Sequence, residues 1–253
     1  MTTLFEPLQV GALSLSNRIV MAPLTRNRAP DAIPTPLMAE YYAQRASAGL
    51  LITEATAICH EGQGYADVPG LYGTEQLDGW KKVTAAVHQA GGRIVLQLWH
   101  VGRNSHVSLQ PDGAAPVSSV DRRPINVNAY AWAMPGVPGN VETSQPRALR
   151  TDEIPAIIAE FVAAGQRAMH AGFDGVEVHG ANGYLFEQFI NGELNTRQDQ
   201  YGGNIDNRLR LLLETIDALS KAIGAEHVGV RISPFGRLYD MHPYDDEKQT
   251  WFQ

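Results

Sequence analysis

Residues 175–185 read GVEVHGANGYL, and their pattern decides the fold. Val176 and Val178 alternate with Glu177 and His179, the period of a β-strand, and β-branched residues favour that state. Gly180 and Gly183 break the strand and allow turns that Ala or Val would resist. One strand end therefore gathers an imidazole (His179), a carboxamide (Asn182) and a phenol (Tyr184). The first two can donate hydrogen bonds to an oxygen gaining negative charge, and the phenol can deliver a proton.

Outward from this strand, the same unit recurs. An amphipathic helix runs from Thr151 and Glu153 through Ala171, with Pro155 in its first turn and Gly172 as its stop. Before it, Arg93–Trp99 (RIVLQLW) reads as a strand that delivers Gln97, Trp99 and His100 to its end. A helix over 77–89, closed by Gly91-Gly92, separates that strand from Leu50–Thr56 (LLITEAT) and the Gly-rich loop 59–72. Pro34–Ser47 reads as a helix with Thr35 as N-cap and Pro36 at its first position. Arg18–Leu24 (RIVMAPL) is the first strand, and Phe5–Asn17 reads as a hairpin around Gly11-Ala12. After the central stretch come a loop over 192–204, a helix over 206–223 capped by Gly224, the strand Val228–Ser233, and the start of a helix at Asp245–Phe252. Residues 101–150, with six prolines, form a long inserted loop or small subdomain, a length that usually carries function.

Strand and helix alternate throughout, which implies parallel strands joined by crossover helices. No G-x-G-x-x-G follows a strand, which argues against a dinucleotide-binding Rossmann domain. Thr25, Glu54, Gln97, His179 and Arg231 fall at the carboxyl ends of five different strands. A TIM barrel builds its active site in that way. The expected fold is a single α/β domain over 1–253, a TIM (β/α)8 barrel of which about five βα units are present. Strands six to eight are expected to lie outside these residues.

Composition excludes several classes. Over 253 residues the chain is 44% hydrophobic and 19% charged, in the soluble globular range. A net charge of −7 argues against nucleic-acid and anionic-membrane partners. The single cysteine, Cys59, allows no internal disulfide and reads as a small buried hydrophobe. The N-terminus lacks a signal pattern and no long apolar run occurs, so the expected location is cytoplasmic. No metal site is read, and His88, His106, His170, His227 and His242 receive no role.

The chain resembles the Old Yellow Enzyme family, FMN-containing NAD(P)H-dependent ene-reductases that include N-ethylmaleimide and nitrate-ester reductases. The resemblance rests on NRIVMAPLTR, PTPLMAEYYAQRASAGLLITEAT, EGQGYADVPGLY, RIVLQLWHVGR, PRAL, HGANGYL, NTRQDQYGGNIDNRLRL and VRISP, in the family's order from Leu4 to about Gln253. It implies an FMN cofactor with NAD(P)H as hydride donor, and ping-pong reduction of activated C=C bonds or of nitro and nitrate-ester groups.

Carried onto this sequence, the resemblance sets Pro23, Leu24, Thr25, Ala55 and Gln97 around the flavin ring. Arg231 becomes the cation beside its N1 and C2-oxygen side. His179 and Asn182 hold the substrate oxygen, with Asn where some members carry His. Tyr184 is the proton donor, and Tyr65 and Trp99 are aromatic walls. The family's phosphate anchor belongs to strands six to eight. These 253 residues alone are therefore expected to hold FMN weakly or not at all. Two alternatives stand beside this reading. One is a dienoyl-CoA reductase-like relative; the other is an inactive or flavin-free barrel fragment needing a complementary chain with strands six to eight.

Overall fold

A computed structural model describes residues 3–252. The chain opens with the expected hairpin, β1 (Leu8–Val10) against β2 (Leu13–Leu15), antiparallel. The first barrel strand is short, β3 (Val20–Met21), because Pro23 ends the ladder. Helix α1 spans Pro36–Ala43 and gives way to a turn four residues before the end that the pattern suggested. Thr35 occupies its N-cap position, but its hydroxyl donates to the Arg28 carbonyl at 3.1 Å instead of capping the helix.

The segment expected as one strand over 50–56 is split into β4 (Leu50–Ile52) and β5 (Thr56–Ala57). The cause lies in the intervening residues: the Thr53 hydroxyl accepts the Gln97 backbone N–H at 3.0 Å, and Glu54 turns to meet Tyr42 and Arg26. Helix α2 (Thr74–Gln89) follows, with the Gln76 side chain accepting the backbone N–H of Gly73 at its start. Strand β6 (Ile94–Trp99) is buried at every residue. A strand covered on both faces reads as an unbroken apolar run, as this one does.

Residues 101–150 are less irregular than their prolines suggested. They carry β7 (Val117–Ser118), the hairpin β8 (Asn128–Met134) and β9 (Val137–Glu142), and β10 (Arg147–Ala148), which pairs parallel with β7. Helix α3 (Ile154–His170) buries Ile157, Phe161, Ala164 and Ala168 along one face. Strand β11 (Gly175–Gly180) leads to α4 (Leu185–Ile190), a short helix the sequence reading passed over. The long helix α5 (Ile205–Ile223), β12 (Val228–Ile232) and α6 (Glu247–Phe252) complete the order.

All barrel strands run parallel, in the order β12-β11-β6-β4-β3, with β5 also on β6. This is a curled part of a TIM barrel with five strand positions. Its main core lies between the sheet and helices α1, α2, α3 and α5, centred on Trp80, Phe161, Leu96 and Val178. Burying one such aromatic side chain contributes about 1.5–3 kcal/mol. The two edge strands differ from the centre: Val20 on β3 is 47% exposed, and Val230 and Ile232 on β12 are 43% and 47%. No helix among the described residues is long and apolar enough to cross a membrane.

Candidate active site

Parallel register brings strand ends level, so residues far apart in sequence meet at the carboxyl mouth. Glu177 on β11 is the register partner of Gln97 on β6, and His179 is that of Arg231 on β12. A cleft of about 500 Å3 opens there, lined by Ala22, Pro23, Thr25, Ala55, Gln97, His179, Asn182, Tyr184 and Arg231. It is not the largest cavity; one of about 660 Å3 lies by Gly192, Arg208 and Tyr244. Chemistry rather than size marks the mouth, because Gln97, His179, Asn182, Tyr184 and Arg231 converge there.

The floor of the cleft is a hydrogen-bonded trio. Glu177 Oε1 accepts Gln97 Nε2–H at 2.7 Å and Arg231 Nε–H at 3.0 Å. Gln97 is thereby oriented with its amide oxygen spare. Arg231 keeps both terminal nitrogens without a protein partner among the described residues. A spare acceptor beside a guanidinium fork suits a flat heterocycle with polar edge atoms. That matches the flavin ring, so the residues present fit the group the resemblance implies.

Facing this floor, the turn after β11 is braced from several sides. The Asn182 N–H donates to Ser233 Oγ at 2.8 Å, and Ser233 donates to Glu187 Oε1 at 2.9 Å. The Gly183 N–H bonds to the other Glu187 oxygen, and its carbonyl accepts Asn104 Nδ2–H and Gln188 Nε2–H, each at 2.9 Å. Asn182 sits at φ +58° and Gly183 at φ +75°, the left-handed region that Asn and Gly tolerate best. A Cβ at Gly183 would also lie 2.7 Å from the Leu238 carbonyl oxygen.

His179 is 5% exposed, and its buried Nδ1 has no partner. Burial, aided by the Arg231 charge, pulls its pKa down to about 3, so the ring is neutral and carries one N–H. Tyr184 is 7% exposed and packs edge-on against both His179 and Trp99. Burial, then the neighbouring Tyr65 and Tyr239, holds its hydroxyl well above the usual phenol range. It therefore stays protonated and able to donate.

Eight of the expected site residues line one cleft or its floor; the others sit differently. Leu24 is 52% exposed and outside the lining, while Thr25 is at the exposed lip. Trp99 is fully buried, tilted against Tyr65 and edge-on to Tyr184, and is not part of the cleft lining. Tyr65 lies beside the cleft with its hydroxyl 3.0 Å from that of Tyr184. Sequence reasoning missed Ala22, Glu177 and Tyr239. Glu177 had a signal, since it shares the face of β11 that carries His179. Cys59 is partly buried, with its thiol pushed up to about 12 by burial. Among the described residues no group of three or more His, Cys, Asp or Glu could hold a metal ion.

The sequence matches the NADH:flavin oxidoreductase / NADH oxidase family over residues 3–252, and the chain belongs to that family. It is 48% identical over 243 residues to 12-oxophytodienoate reductase 1 of Oryza sativa subsp. japonica, covering 96% of this chain and 61% of that one. To flavin oxidoreductase hxnT of Emericella nidulans it is 45% identical over 252 residues, covering 97% and 63%. Among solved structures, morphinone reductase in complex with tetrahydroNAD superimposes with a TM-score of 0.97 at 49% identity, covering all of this chain and 69% of the other. The old yellow enzyme homologue from Zymomonas mobilis gives 0.93 at 42% identity, covering 99% and 68%. The chain thus spans less than two thirds of the length of these curated relatives.

Proposed function

We propose that this chain carries the catalytic face of an FMN-dependent, NAD(P)H-driven reductase of small electrophiles. The acceptors are activated C=C bonds, as in enones and maleimides, or nitro and nitrate-ester groups. One observation carries the reading: the Gln97–Glu177–Arg231 floor stands opposite His179, Asn182 and Tyr184 in a single cleft. Two relatives named as reductases of oxo compounds, 12-oxophytodienoate and morphinone, support the same class of acceptor.

The chemistry that FMN supplies when bound is hydride acceptance from NAD(P)H and donation to the acceptor. Pro23, Thr25, Ala55, Gln97 and Arg231 would hold it, the last two by polar contacts along one ring edge. The neutral His179 ring and the Asn182 amide donate to the substrate oxygen and stabilise the charge that develops there. One such donor is worth roughly 3 kcal/mol at the transition state. Tyr184 delivers the proton to the α-carbon, and Tyr65 closes the side of the pocket.

Titration with FMN, followed by flavin fluorescence, tests the reading. Saturable binding that Arg231→Ala weakens by about tenfold or more is expected, together with NAD(P)H-dependent loss of a maleimide at saturating FMN. No saturable binding at millimolar FMN, either alone or with a polypeptide that carries further barrel strands, overturns it. The exposed apolar side chains on edge strands β3 and β12 favour a second reading, in which a polypeptide carrying further barrel strands completes the flavin site. Burying such edges is favourable for both partners. Tighter FMN binding on mixing the chain with such a polypeptide supports that reading, and unchanged binding with both soluble counts against it.

A further inference from the structure

We propose that Tyr239 is the solvent-side end of a proton relay that reloads Tyr184 between turnovers. The proposal rests on the reading of Tyr184 as proton donor and adds what that reading leaves open, the source of the next proton. Three phenol hydroxyls form a closed triangle beside the cleft. Tyr65 Oη lies 3.0 Å from Tyr184 Oη and 2.7 Å from Tyr239 Oη, and Tyr184 Oη lies 3.3 Å from Tyr239 Oη.

The need for a relay follows from burial. Tyr184 is enclosed by Trp99, His179, Tyr65 and Tyr239. Once it gives its proton to a carbon, a phenolate remains in a site that strongly disfavours one. The only hydroxyls bonded to it among the described residues are those of Tyr65 and Tyr239. A proton can come directly from Tyr239, or from Tyr239 through Tyr65. Both routes start at Tyr239, which sits on the loop after β12 and, like Tyr65, is half-buried.

That loop is built to hold the phenol in place. Arg103, fully buried, donates from Nη2 to the carbonyls of Tyr239 at 3.2 Å and Asp240 at 3.1 Å. Asp240 Oδ2 in turn accepts the Ile125 N–H at 3.2 Å. Tyr239 and Asp240 both sit in the left-handed region, at φ +55° and +62°. Such conformations are disfavoured for residues other than Gly and persist where surrounding bonds enforce them. The Leu238 carbonyl meanwhile packs against Gly183, next to Asn182.

The balance is simple. Tyr184 Oη–H gives its proton to the α-carbon as the β-carbon takes hydride originating from NAD(P)H. The Tyr239 Oη–H proton then moves to Tyr184, directly or through Tyr65, and water protonates Tyr239. Each turnover takes one proton from solvent and leaves all three phenols as they began. Tyr239 never touches the substrate; its role is positioning and supply.

Two measurements on Tyr239→Phe and Tyr65→Phe decide the matter. The first needs no flavin: hydroxyl hydrogen exchange with water, read by NMR in protein labelled at tyrosine Cζ. Tyr239→Phe should slow exchange of the Tyr184 hydroxyl about tenfold or more, and Tyr65→Phe by only a few-fold, since the direct contact survives. The second uses flavin-loaded protein and an enone. Tyr239→Phe should give a first turnover at the wild-type rate, then a steady state about tenfold slower, visible as a burst. Unchanged exchange in Tyr239→Phe, or first and later turnovers slowed equally, overturns the relay. Failure to bind flavin strikes the functional reading instead, and the exchange measurement still decides this one.

Discussion

The Arg231 guanidinium is held at its Nε by Glu177 Oε1, 3.0 Å away, so the cation at the mouth is already half-neutralised from within the protein. The resemblance assigned Arg231 alone as the positive charge beside the flavin. The structure adds a carboxylate that shares that charge and also fixes Gln97.

A first prediction follows for Glu177→Gln. The amide keeps an acceptor for Arg231 or Gln97 while removing the negative charge, so Arg231 acts unopposed on whatever occupies the mouth. The midpoint potential of bound flavin, measured by dye equilibration, should rise, because an added cation favours the electron-rich reduced ring. A potential that stays fixed or falls would show that Glu177 serves packing only.

Much of this arrangement was legible in the sequence because period and position are local. Alternation over Gly175–Gly180, together with Gly180 and Gly183, placed His179, Asn182 and Tyr184 at one strand end, and the crossover helices implied parallel register. Glu177 was readable in principle, since in a parallel ladder it must face Gln97. Tyr239 was not: its approach depends on left-handed residues at Phe235, Tyr239 and Asp240 and on a buried arginine more than a hundred positions earlier. No local pattern encodes such a contact. The β8–β9 hairpin did have a signal, the Pro135-Gly136 turn with Gly136 at φ +74°, hidden among the other prolines of the segment.

Two buried histidines predict how stability depends on pH. His179 and His100 are both pulled down to about 3, first by burial. In the unfolded chain each titrates near its ordinary value of about 6.5. Below that pH the unfolded state takes up protons that the folded state refuses. The contribution is therefore complete above about pH 6.5 and is lost progressively down to about pH 3. At pH 5 each ring should account for about 2 kcal/mol of lost stability relative to neutral pH. In urea titrations His100→Gln should shrink the difference between pH 7 and pH 5 by about that amount. An unaltered difference would mean His100 takes up its proton while folded.

Arg103 should control the loop after β12. Its guanidinium, lowered to about 10 by burial, satisfies the carbonyls of Arg122, Tyr239 and Asp240. Arg103→Met keeps an unbranched apolar stem but removes all three hydrogen bonds and the cation 3.8 Å from Asp240 Oδ2. The expected loss is about 3 kcal/mol, with faster backbone hydrogen exchange concentrated in residues 234–242. Exchange that accelerates uniformly across the chain, or not at all, would contradict this.

The last prediction concerns Tyr184→Phe in flavin-loaded protein. The substitution keeps the ring that packs against His179 and Trp99 and removes only the hydroxyl. Reduction of the flavin by NAD(P)H requires no proton from this residue, so its rate should stay within a few-fold. Enone reduction requires protonation at the α-carbon and should slow by roughly 10²- to 10⁴-fold, the usual worth of a general acid. Nitrate esters, which need no proton at carbon, should be far less affected. Stopped-flow measurement of the two half-reactions separates the outcomes. Equal loss in both would make Tyr184 a structural residue and move the proton donor elsewhere in the mouth.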